Sequence, residues 1–337
     1  AAGIVDSGNV AVSGDVTLTT DANNGVINLG TLQQSGGDLI LTTNGTGDAT
    51  VVNNAAIDFG ASNVGGALSA TASAGTITQN GGALTVAGTS AFTTSTADQA
   101  ITLSNTSNAF TGAVSLTTSG TAGHVTIDNG TTALGVQGTV SGDLALTSGE
   151  AITDSAALSV TGTTTVTTDV ADKTITLDTL ASTGNVILTT SGTAGNVTID
   201  NGTTALGVQG TVSGDLALTS GGAIFDSASL SVTGTTTVTT DMADTTITLD
   251  TLASTGNVIL TTSGTAGHVT IDNETTALGV QGTVSGDLIL TSGEAIIDSA
   301  ALSVTGTTTV TSDVADKTIT LDTLASTGNV ILTTSGT

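Results

Sequence analysis

The sequence contains no cysteine, no proline, no tryptophan, no tyrosine and no arginine. Without cysteine there are no disulfides, thiolate nucleophiles or cysteine-bound metals, although the redox compartment stays open. Lys173 and Lys317 are the only cations against 28 acidic residues, and the net charge is −26. Such a chain cannot neutralise phosphates, which excludes nucleic acid as a partner. Anionic lipid headgroups would repel it too, and no apolar run reaches the roughly 18 residues of a spanning helix, so no membrane insertion is expected. Aromatic residues are limited to four phenylalanines, too few to fill a globular interior in a chain of 337 residues. The lack of proline suits strands whose every N–H is used, and it spares a chain secreted unfolded from slow isomerisation.

What is present is small and repetitive. There are 45 glycines, and the 37% of residues that are hydrophobic are mostly Val, Leu, Ile and Ala. That share is too high for a solvated coil, so the core must be thin everywhere and repeated. The string LTTSGTAG begins at Leu116, Leu188 and Leu260, and LTTSGT begins again at Leu332, which sets a constant 72-residue period. Copy two differs from copy one at six positions: His124/Asn196, Glu150/Gly222, Thr153/Phe225, Ala157/Ser229, Val170/Met242 and Lys173/Thr245. Copy three differs from copy one at four: Gly130/Glu274, Ala145/Ile289, Thr153/Ile297 and Thr168/Ser312. The domain reading is one continuous solenoid over 1–337, with near-identical repeats at 116–187, 188–259 and 260–331, and the start of a further repeat at 332–337. Residues 1–115 are divergent coils, of which 41–115 form one worn module. The opening AAGIVDSG and the closing LTTSGT lead us to expect an excised window from a longer array.

Within a module, apolar and polar residues alternate with period two, as in TITLD, where Ile175 and Leu177 face one side and Thr174, Thr176 and Asp178 the other. Gly, Asn, Asp and Ser pairs punctuate these segments, and β-branched residues disfavour helix. The chain is therefore all-β. A sandwich needs bulky residues between its sheets and these are missing, whereas a parallel β-helix encloses a narrow interior that Val, Leu, Ile, Ala and Thr can fill. The expected fold is a right-handed parallel β-helix, or β-solenoid. About nine strand-like segments per repeat suggest three coils of about 24 residues, each with three faces; four coils of about 18 is the other partition. The 23-residue spacing of Glu150 from Lys173, and of Glu294 from Lys317, would place each lysine one rung from its glutamate. The same register makes Leu144, Leu216 and Leu288 one inward row. It puts the positions that vary between copies, Phe225 among them, on the outside.

The phrases AITDSAALSVTGTTTVTT (151–168), DKTITLDT (172–179) and AITLSNTSNAFTGAVSLTT (100–118) resemble the repeats of giant bacterial surface proteins of the filamentous-haemagglutinin and autotransporter β-helix type. The resemblance implies a right-handed β-helical stalk, exported across the outer membrane and displayed extracellularly as an adhesin or filament. It carries over no functional residue.

Chemistry is sparse. A polysaccharide-lyase site needs a cation beside clustered acids, and Lys173 and Lys317 are better explained by their glutamates. A Ser–His–Asp arrangement around His124 or His268 is undercut by Asn196 at the same position in copy two. Aspartates recur in phase, as Asp128, Asp200 and Asp272 or Asp143, Asp215 and Asp287. Three rungs would separate them by about 14 Å, too far to share an ion. No calcium-loop motif occurs, so these acids read as solvated charge. No catalytic, cofactor-binding or metal-binding residue is expected, Ca2+ being the one ion such carboxylates would take. Thr163-Thr164-Thr165 and Thr174-Ile175-Thr176 raise an ice-binding face as the alternative, with glycans as another ligand. The Asn-x-Thr/Ser sequons at Asn44, Asn105, Asn129, Asn201 and Asn273 follow from composition. The expected partners are neighbouring repeats or identical chains end-to-end, and host or surface glycans. The expected role is non-catalytic: a structural stalk or filament segment, within a giant chain in preference to a polymer of short subunits.

Overall fold

Alternation becomes strand and punctuation becomes turn throughout the computed structural model, which describes residues 3–336. Among the described residues every regular element is a β-strand, and the strands pair in parallel. The chain is a parallel β-solenoid with about 22 residues per turn. It divides into two compact units, Ala1–Asp169 and Val170–Thr337.

In the first unit, one sheet stacks Ile27–Gln34, Ala49–Asn53, Leu68–Ala72, Ser90–Thr94, Val114–Thr117, Leu134–Val140 and Ile152–Val160. The other runs from Val16–Thr19 through Leu39–Thr42, Ile57–Val64, Ile77–Val86, Ile101–Leu103, Val125–Asp128 and Leu144–Ser148 to Thr164–Thr168. Turns are uneven in length: the one that brings Leu134 onto Ile152 is shorter than the one that brings Ser90 onto Val114. Three of the four phenylalanines lie inside this unit. Phe92 meets Phe59 edge-on with ring centroids 6.2 Å apart and Phe110 at 5.7 Å, a zigzag of rings between the two sheets.

The second unit has the same plan. One sheet stacks Ile175–Leu177, Val197–Asp200, Leu216–Ser220, Thr236–Thr240, Val258–Thr261, Leu278–Val284 and Ile296–Val304. The opposite sheet stacks Val186–Thr189, Leu206–Val212, Ile224–Val232, Ile247–Leu249 with Leu252–Ser254, Val269–Asp272, Leu288–Ser292, Thr308–Ala315 and Val330–Ser335.

The coil count expected from the sequence is corrected here. From Val186 to its copy Val258 the chain passes seven times between the sheets, so one repeat makes three and a half turns around two faces. Three coils with three faces each would have needed nine separate segments. Two pairs of segments merge. The phrase AIFDSASLSV is one strand, Ile224–Val232, and the short strands Ile247–Leu249 and Leu252–Ser254 both pair with it. The half turn has a direct consequence. Leu216 and Leu288 are both buried, as the alternation requires, yet they belong to opposite sheets and not to one row. Leu144 is likewise buried in its own unit.

Positions that differ between copies lie almost entirely outside or half outside. Phe225 is 38% exposed and Ile289 43%. Only Thr168, Thr240 and Ser312, which differ by one methyl group, are buried in all three copies.

Candidate functional site

The polar residues that the sequence singles out are mostly turn hardware. Glu294 takes an ion pair from Lys317, with Nζ 2.7 Å from Oε2, one turn away as the 23-residue spacing requires. His268 Nδ1 accepts the N–H of Asp287 at 2.9 Å, and His124 does the same for Asp143. Asn196 Oδ1 accepts the N–H of Asp215 at 2.8 Å in copy two, so imidazole and amide are interchangeable acceptors at this turn. The nearby Ser141 completes no triad, because its hydroxyl is bonded to Thr118 Oγ1 at 3.2 Å.

The aspartates also have structural partners, which solvated charge would not. Asp143, Asp215 and Asp287 accept the N–H of Thr163, Thr235 and Thr307 in the next turn. Asp128 and Asp200 accept the N–H of Gly130 and Gly202, and Asp272 that of Glu274. Asp200 and Asp272 sit in opposite sheets, which corrects the three-rung stacking expected for this series. Among the described residues, no group of three or more His, Asp or Glu is placed to hold a metal ion.

A further series escapes the sequence reading. Asp98, Asp172, Asp244 and Asp316 all have left-handed backbones, with φ near 62–63°. Asp172 accepts the N–H groups of Thr193 and Ala194, Asp98 those of Thr121 and Ala122, and Asp244 those of Thr265 and Ala266. The first N–H of each pair is the main reason these carboxyls titrate below the ordinary 3.8. A glycine faces each of them one turn on (Gly120, Gly192, Gly264), because a side chain there would collide with the carboxylate.

Three of the five sequon asparagines are buried. Asn129, Asn201 and Asn273 are fully enclosed, and their amides imitate a peptide group. Asn201 accepts the N–H of Ser182 at 2.7 Å and donates to the carbonyls of Ser182, Thr204 and Ala205. No folded copy can present these three residues to a glycosylating enzyme.

The outer faces carry rows of hydroxyls. In the second unit, Thr219, Thr239, Thr261 and Thr283 stand in register on four consecutive rungs, followed by Ser303. In the first unit, Thr71, Thr93, Thr117 and Thr139 form a similar row, followed by Ser159. The neighbouring rows are mixed, for example Thr198, Ala217, Thr237, Ile259 and Gln281.

Two sheets, an apolar interior and turns closed by repeated polar residues define a tandem-repeat parallel β-solenoid. The chain belongs to the repeat family described as repeats of unknown function (DUF5649), whose model matches residues 46–117, 122–192, 194–265 and 266–335. Neither the curated proteins nor the solved structures give a match.

Proposed function

We propose that this chain is a non-catalytic structural segment of a bacterial surface protein, of the filamentous-haemagglutinin or autotransporter type, that builds an extracellular stalk or filament. One observation carries the reading: the copies keep every inward side chain to within a methyl group and change almost only outside. Selection for a repeated scaffold leaves that pattern, since interior volume changes are poorly tolerated and outward ones are cheap. The polar groups that chemistry would use are engaged by backbone N–H groups of adjoining turns. The test is immunogold labelling of intact source cells with antibody raised against repeats 188–331. Label on the outer surface is expected, and label found only after permeabilisation would contradict the reading.

A second reading draws on the threonine rows. The register Thr219, Thr239, Thr261 and Thr283 offers a regular hydroxyl lattice that a repetitive ligand such as ice or a glycan would match. Inhibition of ice recrystallisation, or binding on a glycan array, that is lost on Thr239→Val and Thr261→Val would favour it. Inertness in both assays would leave the rows as solvated sheet.

A further inference from the structure

The half-turn step places equivalent residues on opposite sides of the second unit, and two such residues are apolar and exposed. Phe225 projects outward from one sheet and Ile297 from the other, 38% and 44% exposed, where copy one carries Thr153. Each is accompanied at its corner by a second exposed apolar residue, Met242 at 52% or Val314 at 44%.

Copy two has gone furthest. Its corner has lost both members of the Glu294–Lys317 type of ion pair, carrying Gly222 and Thr245 instead. The Thr245 hydroxyl turns back to the Met242 carbonyl at 3.0 Å. The Phe225 ring lies down on Gly207, where a Cβ would sit 2.8 Å from its Cζ, and a Cβ on Gly221 would sit 3.0 Å from Met242 Sδ. Both side chains therefore form a smooth apolar surface instead of projecting as knobs. The carboxylates around it are Asp226, which is buried and accepts the N–H groups of Asp250 and Thr251, and the flanking Asp241 and Asp244.

We propose that these corners join copies of this chain side by side. A partner gripping more than one corner must offer apolar sites at the same 72-residue step, and a second copy carries them by construction. Because the corners occur on opposite sides of the unit, a copy held on one side still offers its other side, so association need not stop at a pair. Charge narrows the choice in the same direction. A polyanion is repelled by a chain of net charge −26, and a basic partner would settle on the aspartate rows and not on the one corner that has shed its charged pair. A single corner is far smaller than the roughly 1,200–2,000 Å² of a stable interface, so affinity must come from several corners acting together. Like charge between copies makes the association grow with salt, the reverse of an ion-pair interface.

The test is sedimentation velocity on the full 337-residue chain at about 0.01 M and about 1 M NaCl, where the screening length falls from roughly 30 Å to 3 Å. The wild type should sediment as dimers and larger species at high salt and shift towards monomer at low salt. The variant Phe225→Thr/Ile297→Thr restores the residue of copy one at both corners, so its circular dichroism and melting should match the wild type. Its high-salt association should weaken by about 10–100-fold, as loss of two buried apolar side chains implies. A wild type that stays monomeric at every salt concentration would overturn the proposal. So would association that the double variant leaves unchanged, because the contact would then lie elsewhere, end-to-end contact included.

Discussion

At the residue scale, the polar side chains hold turns together, and their partners set what each substitution does. Asn201 satisfies a backbone N–H and three carbonyls inside the turn. Asn201→Ala should destabilise the second unit by about 2–5 kcal/mol in chemical denaturation, because each buried group left unsatisfied costs about 1–3 kcal/mol. His268→Asn reproduces copy two and should change stability by less than about 0.5 kcal/mol, as an exposed like-for-like acceptor does. The aspartate latches give a signed pH dependence. Folding lowers the pKa of Asp98, Asp172 and Asp244 through N–H groups of the next turn. Their contribution is therefore complete above the unfolded value near 3.8 and is lost as pH falls through the lower folded values. The melting temperature should be flat from about pH 5 to 8 and drop below about pH 4. Asp226 and Asp298 separate cleanly, although both bond the same pair of turn N–H groups. Burial raises Asp226. At Asp298 burial pulls the same way, but the N–H groups of Thr323 and Asp322 together outweigh it and the carboxyl is lowered. Carboxyl-carbon NMR should show Asp226 titrating at higher pH than Asp298. The same midpoint for both would refute that assignment.

At the element scale, period two places the strands correctly because one face of each is buried, and a slip of one residue would expose a whole apolar row. The same alternation carries the asparagine role. Asn129 stands in phase with Val125 and Ile127, hence inward, although a sequon by itself reads as a surface feature. The merging of segments is not legible, since nothing local distinguishes a kink within a rung from a turn between rungs. The bulge that permits one long strand rests on Gly210, with φ of 119° and no room for a side chain against the Leu188 backbone. Gly210→Ala should cost about 1–3 kcal/mol or more in a thermal or urea melt, and a neutral result would mean the bulge relaxes at no cost.

At the scale of the whole repeat, the odd number of rung sides is the central feature. It makes each repeat a half-integral step, puts successive copies on opposite faces of the second unit, and gives each corner device a counterpart across the sheet pair. The 72-residue period is plain in the sequence, but a period in residues does not state a rotation; only the strand count does. Paired spin labels test this most directly, and with no native cysteine the sites can be introduced singly. Thr198 and Gln281 lie on one outer row, four rungs and about 19 Å apart. Thr198 and Thr270, one repeat apart, lie on opposite sheets, which adds the roughly 10 Å between stacked sheets and two labels pointing in opposite directions. Pulsed electron–electron resonance on Thr198→Cys/Thr270→Cys should give a longer distance than on Thr198→Cys/Gln281→Cys, despite the shorter sequence separation. A shorter distance, near the roughly 14 Å of three whole turns on one face, would contradict the half-turn repeat.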